Sequence, residues 1–472
     1  MKPIGSGALA TAVLVLVMGT IPHGSGRNGM ESYPAKAESS SAGTSAPGHS
    51  LTPPLGESAK PVAVEQPALP GALLVIDAAR FPSLQAAFDA LPEQGGLVRL
   101  PPGRFPIYAP LTLSRSNVRI EGAGPATCIV NLNQEGKPAL VVQPADLDKN
   151  PKARLWRVQL ANFRICGDPE AKDAASTKPA SGTGLVTHWV QELTLHNLWI
   201  DHCGGHGVHL IHCEENPCIR HCSFTYNMQA GVQLEGCHDI VVSACQFEEN
   251  QDALRCLDGF NLTMTGNNID DHRANGIAIE NTYGSVLSGN MIEECSGTAI
   301  ILDRDCYGIT LSANVIAHNT GGGVHLRDAW GCAVSANTFV LNAAFGVLVE
   351  SQSGRLTIAG NAFTDSFVGQ GIRRTPEDNA ARGILLRGTR DVLITGNSFS
   401  GLAEHAVHAD AECRRIFVVG NLTVDCHRAS QGQGEVLHLG PAENAHQQSN
   451  LLVPPEALEQ DKPPAPKPKK KP

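Results

Sequence analysis

The sequence predicts an all-β solenoid in which short parallel strands stack in successive coils. The first observation is a motif of two small residues, an asparagine, any residue and an apolar residue. Its asparagines recur mostly 23 or 24 residues apart, at Asn267, Asn290, Asn314, Asn337, Asn361, Asn397 and Asn421. A second motif, a small residue followed by an alternating strand such as GVHL at 323–326, comes nine residues after most of them. Repeats of roughly 20 to 50 residues indicate a solenoid, and alternation indicates strands.

Each repeat is long enough for one complete coil. About 23 residues can form three short strands and three turns, with about 4.8 Å between successive coils. This predicts a single-stranded parallel β-helix of about ten to twelve coils. We expect each repeated asparagine to adopt a left-handed backbone at a tight bend and to hydrogen-bond the asparagine one coil away. In earlier coils the same position is predicted to hold Cys245, Cys222, Asn197 and Asn162.

The first 70 residues differ in composition from the repeats. Lys2 precedes an apolar run at 8–21, which is short for a membrane span of roughly 20 residues and suits a secretory signal. We therefore predict a signal peptide over 1–26, no stable membrane span, and a secreted, periplasmic or cell-surface location. Residues 27–70, rich in Ser, Pro, Gly and Ala, predict a disordered linker, and the Pro/Lys-rich residues 441–472 predict a disordered tail.

The solenoid is predicted to span 71–440, with an N-terminal cap over 71–115. The segment SLQAAFDAL at 83–91 has helical apolar spacing and is flanked by Pro82 and Pro92. It predicts a short capping helix, because the open end of a solenoid must be covered.

The asparagine ladder, the G-V/I-x-L strands and the segment FPSLQAAFDALPEQGGLVRLPPGRF at 81–105 resemble the pectate lyase-like right-handed parallel β-helix superfamily. The resemblance covers about 71–430. It implies a right-handed coil whose sites usually lie on the first parallel sheet, here the sheet formed by the G-V-x-L strands. The superfamily includes lyases, hydrolases, epimerases, phage tailspikes and non-catalytic surface proteins, so it implies a fold and leaves the reaction open.

Alternation sorts the side chains of that sheet. If Val324 and Leu326 point inward, His325 and Arg327 point outward. One outward column is then predicted to contain His209, Gln233, Arg255, Ala278, Ile301, His325, Leu348, Leu385 and His408. The neighbouring column is predicted to contain Ile211, Glu235, Leu257, Glu280, Asp303, Arg327, Glu350, Arg387 and Asp410.

The second column contains the candidate catalytic residues Glu280, Asp303, Arg327 and Glu350. Glu280 and Asp303 would be like charges on adjacent coils, which is unfavourable unless a cation, an arginine or a shared proton compensates. We expect one of these two carboxyls to act as an acid, Glu350 to be a second carboxylate, and Arg327 to pair with a uronate or stabilise developing charge. A calcium site on the same carboxylates is equally compatible, and so are plain surface ion pairs.

Other side chains beside this column are candidates for substrate binding. They are Arg255, His325, Asp305, Tyr283, Tyr307 and Trp330. The three aromatic residues and Phe260 occupy equivalent positions on four coils, where they can stack on sugar rings or on each other. There is no lysine between Lys178 and Lys462, so a base on this face would be an arginine, histidine or tyrosine.

Two insertions in the repeat, at 167–186 and 366–381, are expected to flank this face. The segment 202–222 is dense in histidine and cysteine, which suggests zinc or copper. Its candidate ligands fall on different faces of a coil, which argues against one metal site. Cys222 and Cys245 are expected to stack in the ladder position, and Cys213 and Cys237 are expected to lie one coil apart, at a separation compatible with a disulfide. Buried free thiols are the commoner use of cysteine in such a core.

Two further segments resemble fragments of polygalacturonase motifs, namely GGHGV at 204–208 and NQDALRC at 250–256. They occur in the reverse order, and Ala253 replaces the second aspartate of the family motif. We therefore do not assign a polygalacturonase site.

The net charge of -10 and the pI near 6.0 give no footprint for a nucleic-acid partner. The functional hypothesis is an exported β-helix that binds a polysaccharide or cell-wall glycan and processes it as a lyase or glycoside hydrolase. The alternatives are a non-catalytic surface or scaffold protein and a periplasmic metal-handling protein.

Overall fold

The computed structural model describes residues 69–167, 181–364, 381–430 and 434–454. These residues form an all-β solenoid in which the strand pairings are parallel and link each coil to the next. The α-helix of the described part spans Leu84–Asp89, and short 3-10 helices span Ala78–Arg80, Gly124–Ala126 and Arg428–Ser430.

Each coil contributes in turn to three sheets, which we name sheet 1, sheet 2 and sheet 3. Sheet 1 contains 13 strands: Leu111–Leu113, Leu140–Val142, Leu185–His188, Val208–Ile211, Val232–Glu235, Leu254–Leu257, Ile277–Glu280, Thr298–Asp303, Gly322–Leu326, Val347–Val349, Ile384–Leu386, Val407–Ala409 and Leu437–His438.

Sheet 2 contains 17 strands: Leu74–Asp77, Gly96–Arg99, Val118–Glu121, Val158–Ala161, Thr194–His196, Cys218–Arg220, Val241–Ser243, Thr263–Thr265, Val286–Ser288, Cys306–Tyr307, Thr310–Ser312, Ala329–Trp330, Ala333–Ser335, Gly354–Ala359, Arg390–Thr395, Arg414–Val419 and His446–Gln448.

Sheet 3 contains 14 strands: Gly103–Ile107, Thr127–Asn131, Arg164–Cys166, Trp199–Asp201, Ser223–Thr225, Gln246–Glu248, Asn268–Asp270, Met291–Glu293, Val315–Ala317, Thr338–Val340, Ala362–Thr364, Ser398–Ser400, Leu422–Val424 and Leu451–Val453. Leu155–Trp156 and Val190–Gln191 form a separate two-stranded sheet.

The N-terminal cap forms as predicted around the short helix. Ser83 caps its N-terminus by accepting a hydrogen bond from the backbone amide of Ala86, and Leu84 and Phe88 are buried at the open end of the core. Gln85 hydrogen-bonds both backbone groups of Thr112 in sheet 1. The helix is therefore tied to the coil that it covers.

The cap also contributes strands, so the solenoid has about thirteen coils rather than ten to twelve. Leu74–Asp77 and Gly96–Arg99 join sheet 2, and Gly103–Ile107 joins sheet 3. Close packing of these coils explains why Gly95, the first glycine of the GG pair in the cap segment, must be glycine. Gly95 has φ +91, and a Cβ on it would lie 2.2 Å from the carbonyl oxygen of Asn117.

The predicted asparagine ladder is present in the turn between sheets 2 and 3. The side-chain amide of each ladder asparagine donates to the Oδ1 of the next, as in Asn290 to Asn314 at 2.9 Å and Asn314 to Asn337 at 3.0 Å. The same amide also donates to a backbone carbonyl of the core, and these side chains are buried. The ladder continues from Asn421 to Asn450 at 3.0 Å.

The predicted backbone of the ladder asparagines was wrong. The left-handed residue is the small residue before each asparagine, for example Gly289 with φ 68 and Ala313 with φ 55. A small residue at the bend leaves the asparagine free to turn its amide into the core. Two of the earlier positions were also assigned one residue off: Asn162 and Asn197 are themselves left-handed, and the buried Phe163 and Leu198 occupy the ladder position. Cys222 and Cys245 lie in the ladder position as predicted, each directly after a left-handed residue.

The C-terminal boundary of the solenoid differs from the prediction. His446–Gln448 and Leu451–Val453 pair with the preceding coil, so the coils continue beyond residue 440. The predicted signal peptide, nearly all of the linker, and the Pro/Lys-rich end lie outside the described residues. In the part of the chain that the structure describes, no helix is both long and apolar enough to cross a membrane.

Candidate functional site

The outward face of sheet 1 has the register predicted from alternation. Val324 and Leu326 are fully buried beneath it. The first column pairs residue to residue along nine coils, through His209, Gln233, Arg255, Ala278, Ile301, His325, Leu348, Leu385 and His408, and continues to His438. In the second column, Glu235, Leu257, Glu280 and Asp303 are in register.

Arginines compensate the like charges of Glu280 and Asp303. Glu280 accepts from Arg255 at 3.0 Å and lies 2.6 Å from Arg304, whereas Asp303 lies 3.3 Å from Arg327. Each carboxylate thus has its own guanidinium partner. Arginines therefore neutralise the like charges of the two adjacent carboxylates, and no proton shared between Glu280 and Asp303 is needed.

His325 links the other two predicted catalytic residues. Arg327 Nε donates to His325 Nδ1 at 3.3 Å, so the neutral ring carries its proton on Nε2. That Nε2 lies 3.3 Å from Glu350 Oε1, although its alignment does not make a hydrogen bond. Burial lowers the pKa of His325, and the nearby Glu350 opposes this shift. We call the group of Glu280, Asp303, His325, Arg327 and Glu350 the charged strip.

A groove of about 370 Å³ adjoins the charged strip on its N-terminal side. Arg255 lies in this groove and also pairs with Glu280, so the two regions are continuous. The groove is lined by His206, His209, Gln229, Ala230, Gln233, Glu235, Gln251, Asp252, Arg255 and Leu257.

Two histidines in the groove have depressed pKa values. The backbone amide of Ala230 donates to His206 Nδ1 at 3.2 Å, which places the proton of the neutral ring on Nε2. Burial lowers the pKa of His206 to about 4, with His209 and Arg255 adding to the shift. Burial also lowers the pKa of His209, whose Nε2 lies 3.2 Å from Glu235 Oε2. The groove therefore presents neutral imidazoles and a histidine–carboxylate pair.

Asp252 anchors the other side of the groove. It is only 2% exposed, and its Oδ1 accepts from both the backbone and side-chain amides of Asn275. Its Oδ2 lies 3.6 Å from Arg255. Asp252 thus holds the guanidinium at the point where the groove meets the charged strip.

The site residues predicted from the sequence did not include His206, Asp252 or Glu235. His206 and Asp252 come from GGHGV and NQDALRC, the two segments that were set aside because of their reversed order. Both residues lie in the turn just before a sheet 1 strand, and stacking of the coils brings them to one groove. The order of these two segments along the chain thus does not prevent His206 and Asp252 from lining the same groove.

The aromatic residues form a stack rather than an open platform. The rings of Phe260 and Tyr283 lie 5.3 Å apart at 12°, and those of Tyr283 and Tyr307 lie 4.9 Å apart at 11°. Trp330 follows in register and carries Arg390 over its ring at 4.9 Å. Because ring faces cover one another, this geometry argues against sugar stacking by Tyr283, Tyr307 or Trp330.

Candidate metal ligands converge elsewhere than on the charged strip. Among the described residues, donor atoms lie within 4.8 Å of one another in two clusters, Cys166–Asp201–His202 and Asp270–Asp271–Glu294. In the first, Asp201 already accepts two hydrogen bonds of 2.7 Å from Arg164, which disfavours a cation. A calcium ion at Glu280 and Asp303 would have to compete with the arginines that already pair with these carboxylates.

The remaining predictions for this face concern Asp305, the cysteines and the insertions. Asp305 lies in the turn beyond Asp303, where its backbone amide donates to Asp328. All fourteen cysteines are free thiols, so neither Cys213 and Cys237 nor Cys222 and Cys245 form a disulfide in this structure. Most of both insertions lies outside the described residues.

Comparison with known proteins identifies the fold. Residues 206–363 match the family described as the right handed beta helix region. The chain is a right-handed parallel β-helix. This confirms the right-handed β-helix fold predicted from the sequence. No curated protein matches the chain significantly.

Two solved structures share this β-helix over most of the chain. The A-module of the Azotobacter vinelandii mannuronan C-5 epimerase AlgE6 has 16% identity and a TM-score of 0.54, covering 80% of this chain and 100% of the module. The pre-mature bacteriophage phi29 gene product 12 has 12% identity and a TM-score of 0.61, covering 79% of this chain and 56% of the phage protein. At such identities the likeness establishes the fold alone.

Proposed function

We propose that this β-helix is an exported protein that binds an extended polysaccharide along the outward face of sheet 1 and processes it by lyase or hydrolase chemistry. The observation that carries the proposal is the continuity of the polar face. The groove and the charged strip meet at Arg255 and together run from His206 to Glu350.

The spacing of the coils suits a linear glycan. Adjacent coils are about 4.8 Å apart, a distance on the order of one sugar unit. Groups from successive coils can therefore contact successive sugars. The alternating arginines and carboxylates of the strip offer paired donors and acceptors to hydroxyls or to uronate carboxylates.

The groove supplies groups suited to proton transfer. His209 and Glu235 form a histidine–carboxylate pair, and His206 presents a neutral Nε2–H. Arg255 can pair with a uronate carboxylate and stabilise charge that develops beside it. In the strip, Glu280 and Asp303, each paired with an arginine, would accept hydrogen bonds from sugar hydroxyls, with Glu350 as a further carboxylate and Arg327 as the group on the uronate.

A non-catalytic surface role is the second candidate, and one observation favours it. Glu280 and Asp303 are already paired with arginines, and Arg327 is 44% exposed. Such pairs are found on ordinary exposed sheets, where each contributes roughly 0–1 kcal/mol. Under this alternative the face binds a cell-wall glycan, or no ligand, without turnover.

The deciding experiment is a panel of polyuronates and neutral glycans. Mannuronan is included because the AlgE6 module is named as an epimerase of that polymer. Absorbance of unsaturated ends reports a lyase, reducing sugar reports a hydrolase, and calorimetry reports binding alone. Turnover that is lost in Arg255→Ala and kept in Arg415→Ala would support the enzyme. Binding without turnover across the panel would favour the surface role.

A further inference from the structure

Three histidines converge near the C-terminal end of sheet 1, well beyond the charged strip. The ring centroids of His408 and His438 lie 5.1 Å apart, those of His405 and His408 lie 5.2 Å apart, and those of His405 and His438 lie 5.6 Å apart. His427 packs on His405 with centroids 4.5 Å apart. We call His405, His408 and His438 the histidine triad.

The fold fixes where these side chains lie. His408 and His438 are direct partners on adjacent strands of sheet 1, so parallel stacking places both on the outward face. His405 comes from the turn just before the strand Val407–Ala409. It lines a groove of about 400 Å³ together with His408, Glu404 and Asp410.

Hydrogen bonds orient two of the three rings. His405 Nδ1 lies 2.6 Å from the backbone oxygen of Glu435, and His438 Nδ1 lies 3.0 Å from Glu435 Oε2. Both nitrogens must donate to these oxygens, so both Nε2 atoms carry lone pairs. Metal-binding histidines are usually held in this way, with one ring N–H donating to a carbonyl or carboxylate.

Two arginines, Arg382 and Arg387, line the groove beside two carboxylates, Glu404 and Asp410. Arg382 lines the same groove and pairs with Glu404 at 2.9 Å. Burial and the two neighbouring histidines lower the pKa of His408.

We propose that the histidine triad binds a divalent transition metal of the zinc type, with the fourth coordination position open to the groove. Three imidazoles on a tetrahedral zinc, with Zn–N of about 2.0–2.1 Å, place their ring centroids about 5 Å apart. The observed centroid distances fit this spacing. The ring nitrogens do not yet converge, since the described clusters with donors within 4.8 Å lie elsewhere. Binding therefore requires the ring of His408 to rotate about its side-chain torsions, while the hydrogen bonds to Glu435 hold the other two rings.

The test is a calorimetric titration of the metal-free full chain with Zn(II). We expect one zinc per chain, and we expect His405→Ala, His408→Ala and His438→Ala each to weaken binding at least about tenfold. Glu435→Gln should weaken it by about tenfold, because it removes the charged acceptor of His438. His446→Ala is the matched control, since His446 is exposed in the last coil and belongs to sheet 2.

Folding and ligand identity are checked separately. Circular dichroism and thermal unfolding establish that each variant is folded, and His438→Gln replaces any alanine variant that is not. Absorption of the Co(II) form distinguishes imidazole from thiolate ligands, because thiolates add a charge-transfer band. The proposal is overturned if folded wild-type protein gives no heat of binding, if the triad variants bind like wild type, or if thiolate ligation appears.

Discussion

Arg255 Nη2 donates to Glu280 Oε1 at 3.0 Å across two adjacent coils. The same guanidinium lies 3.6 Å from the buried Asp252. One side chain thus joins the groove to the charged strip, and it is the residue through which both halves of the face can be tested together.

Replacing Arg255 by alanine should weaken glycan binding by about tenfold or more, because it removes the cation shared by both regions. Its pair with Glu280 is partly exposed, but its loss also leaves the buried Asp252 without this cation, so the free energy of unfolding should fall by about 1–3 kcal/mol. Calorimetry with the best glycan of the panel and urea unfolding measure the two effects. Arg415→Ala, which breaks a comparable pair with Asp391 on sheet 2, should leave glycan affinity unchanged.

Asp303→Asn and Arg327→Ala test the charged strip itself. Each variant should lower turnover or glycan affinity by about tenfold or more, because each breaks the ion pair that aligns the strip. Steady-state rates and calorimetry on protein shown to be folded provide the measurement. If both variants match wild type while His206→Gln or His209→Gln abolishes function, the site is the groove alone.

The columns of sheet 1 could be predicted because strict alternation within short strands fixes which side chains face outward. The groove could not be predicted in this way. His206 and Asp252 lie in turns, where no periodicity assigns a direction to a side chain. Arg304, the second partner of Glu280, also lies in a turn. The sequence thus indicated which carboxylates would meet but missed part of what neutralises them.

The ladder shows a second limit of sequence reasoning. A small residue followed by asparagine offers two neighbours that both tolerate a left-handed backbone, and the motif alone cannot choose between them. Burial decides, because the asparagine that turns inward satisfies backbone groups of the core. The C-terminal boundary was missed because Asn450 follows Asn421 by 29 residues, outside the regular period.

Asn314→Ala should destabilise the solenoid strongly. Asn314 accepts from the backbone and side chain of Asn290 and donates to Leu287 and Asn337. Leaving these buried groups unpaired should lower the free energy of unfolding by about 3 kcal/mol or more. Urea unfolding gives the value. The control is Gln159→Ala, which breaks an exposed bond to Arg119 and should cost about 0.5 kcal/mol or less; equal losses in the two variants would contradict a buried ladder.

The stability of the groove should depend on pH through His206. Its pKa is about 4 in the folded chain and about 6.5 when unfolded. Between these two pKa values the unfolded chain binds a proton on His206 and the folded chain does not. The contribution of His206 to the free energy of unfolding is therefore full above about pH 6.5 and falls as the pH drops towards 4. At pH 5 the loss from this group should be about 2 kcal/mol relative to pH 7.

Urea unfolding of wild type and His206→Gln at both pH values measures this loss as the difference between their pH dependences. His446→Gln, which changes an exposed ring, should keep the wild-type dependence. If His206→Gln also keeps the wild-type pH dependence, the assignment of this dependence to His206 is wrong, because the neutral imidazole held by the Ala230 amide would then contribute nothing to it.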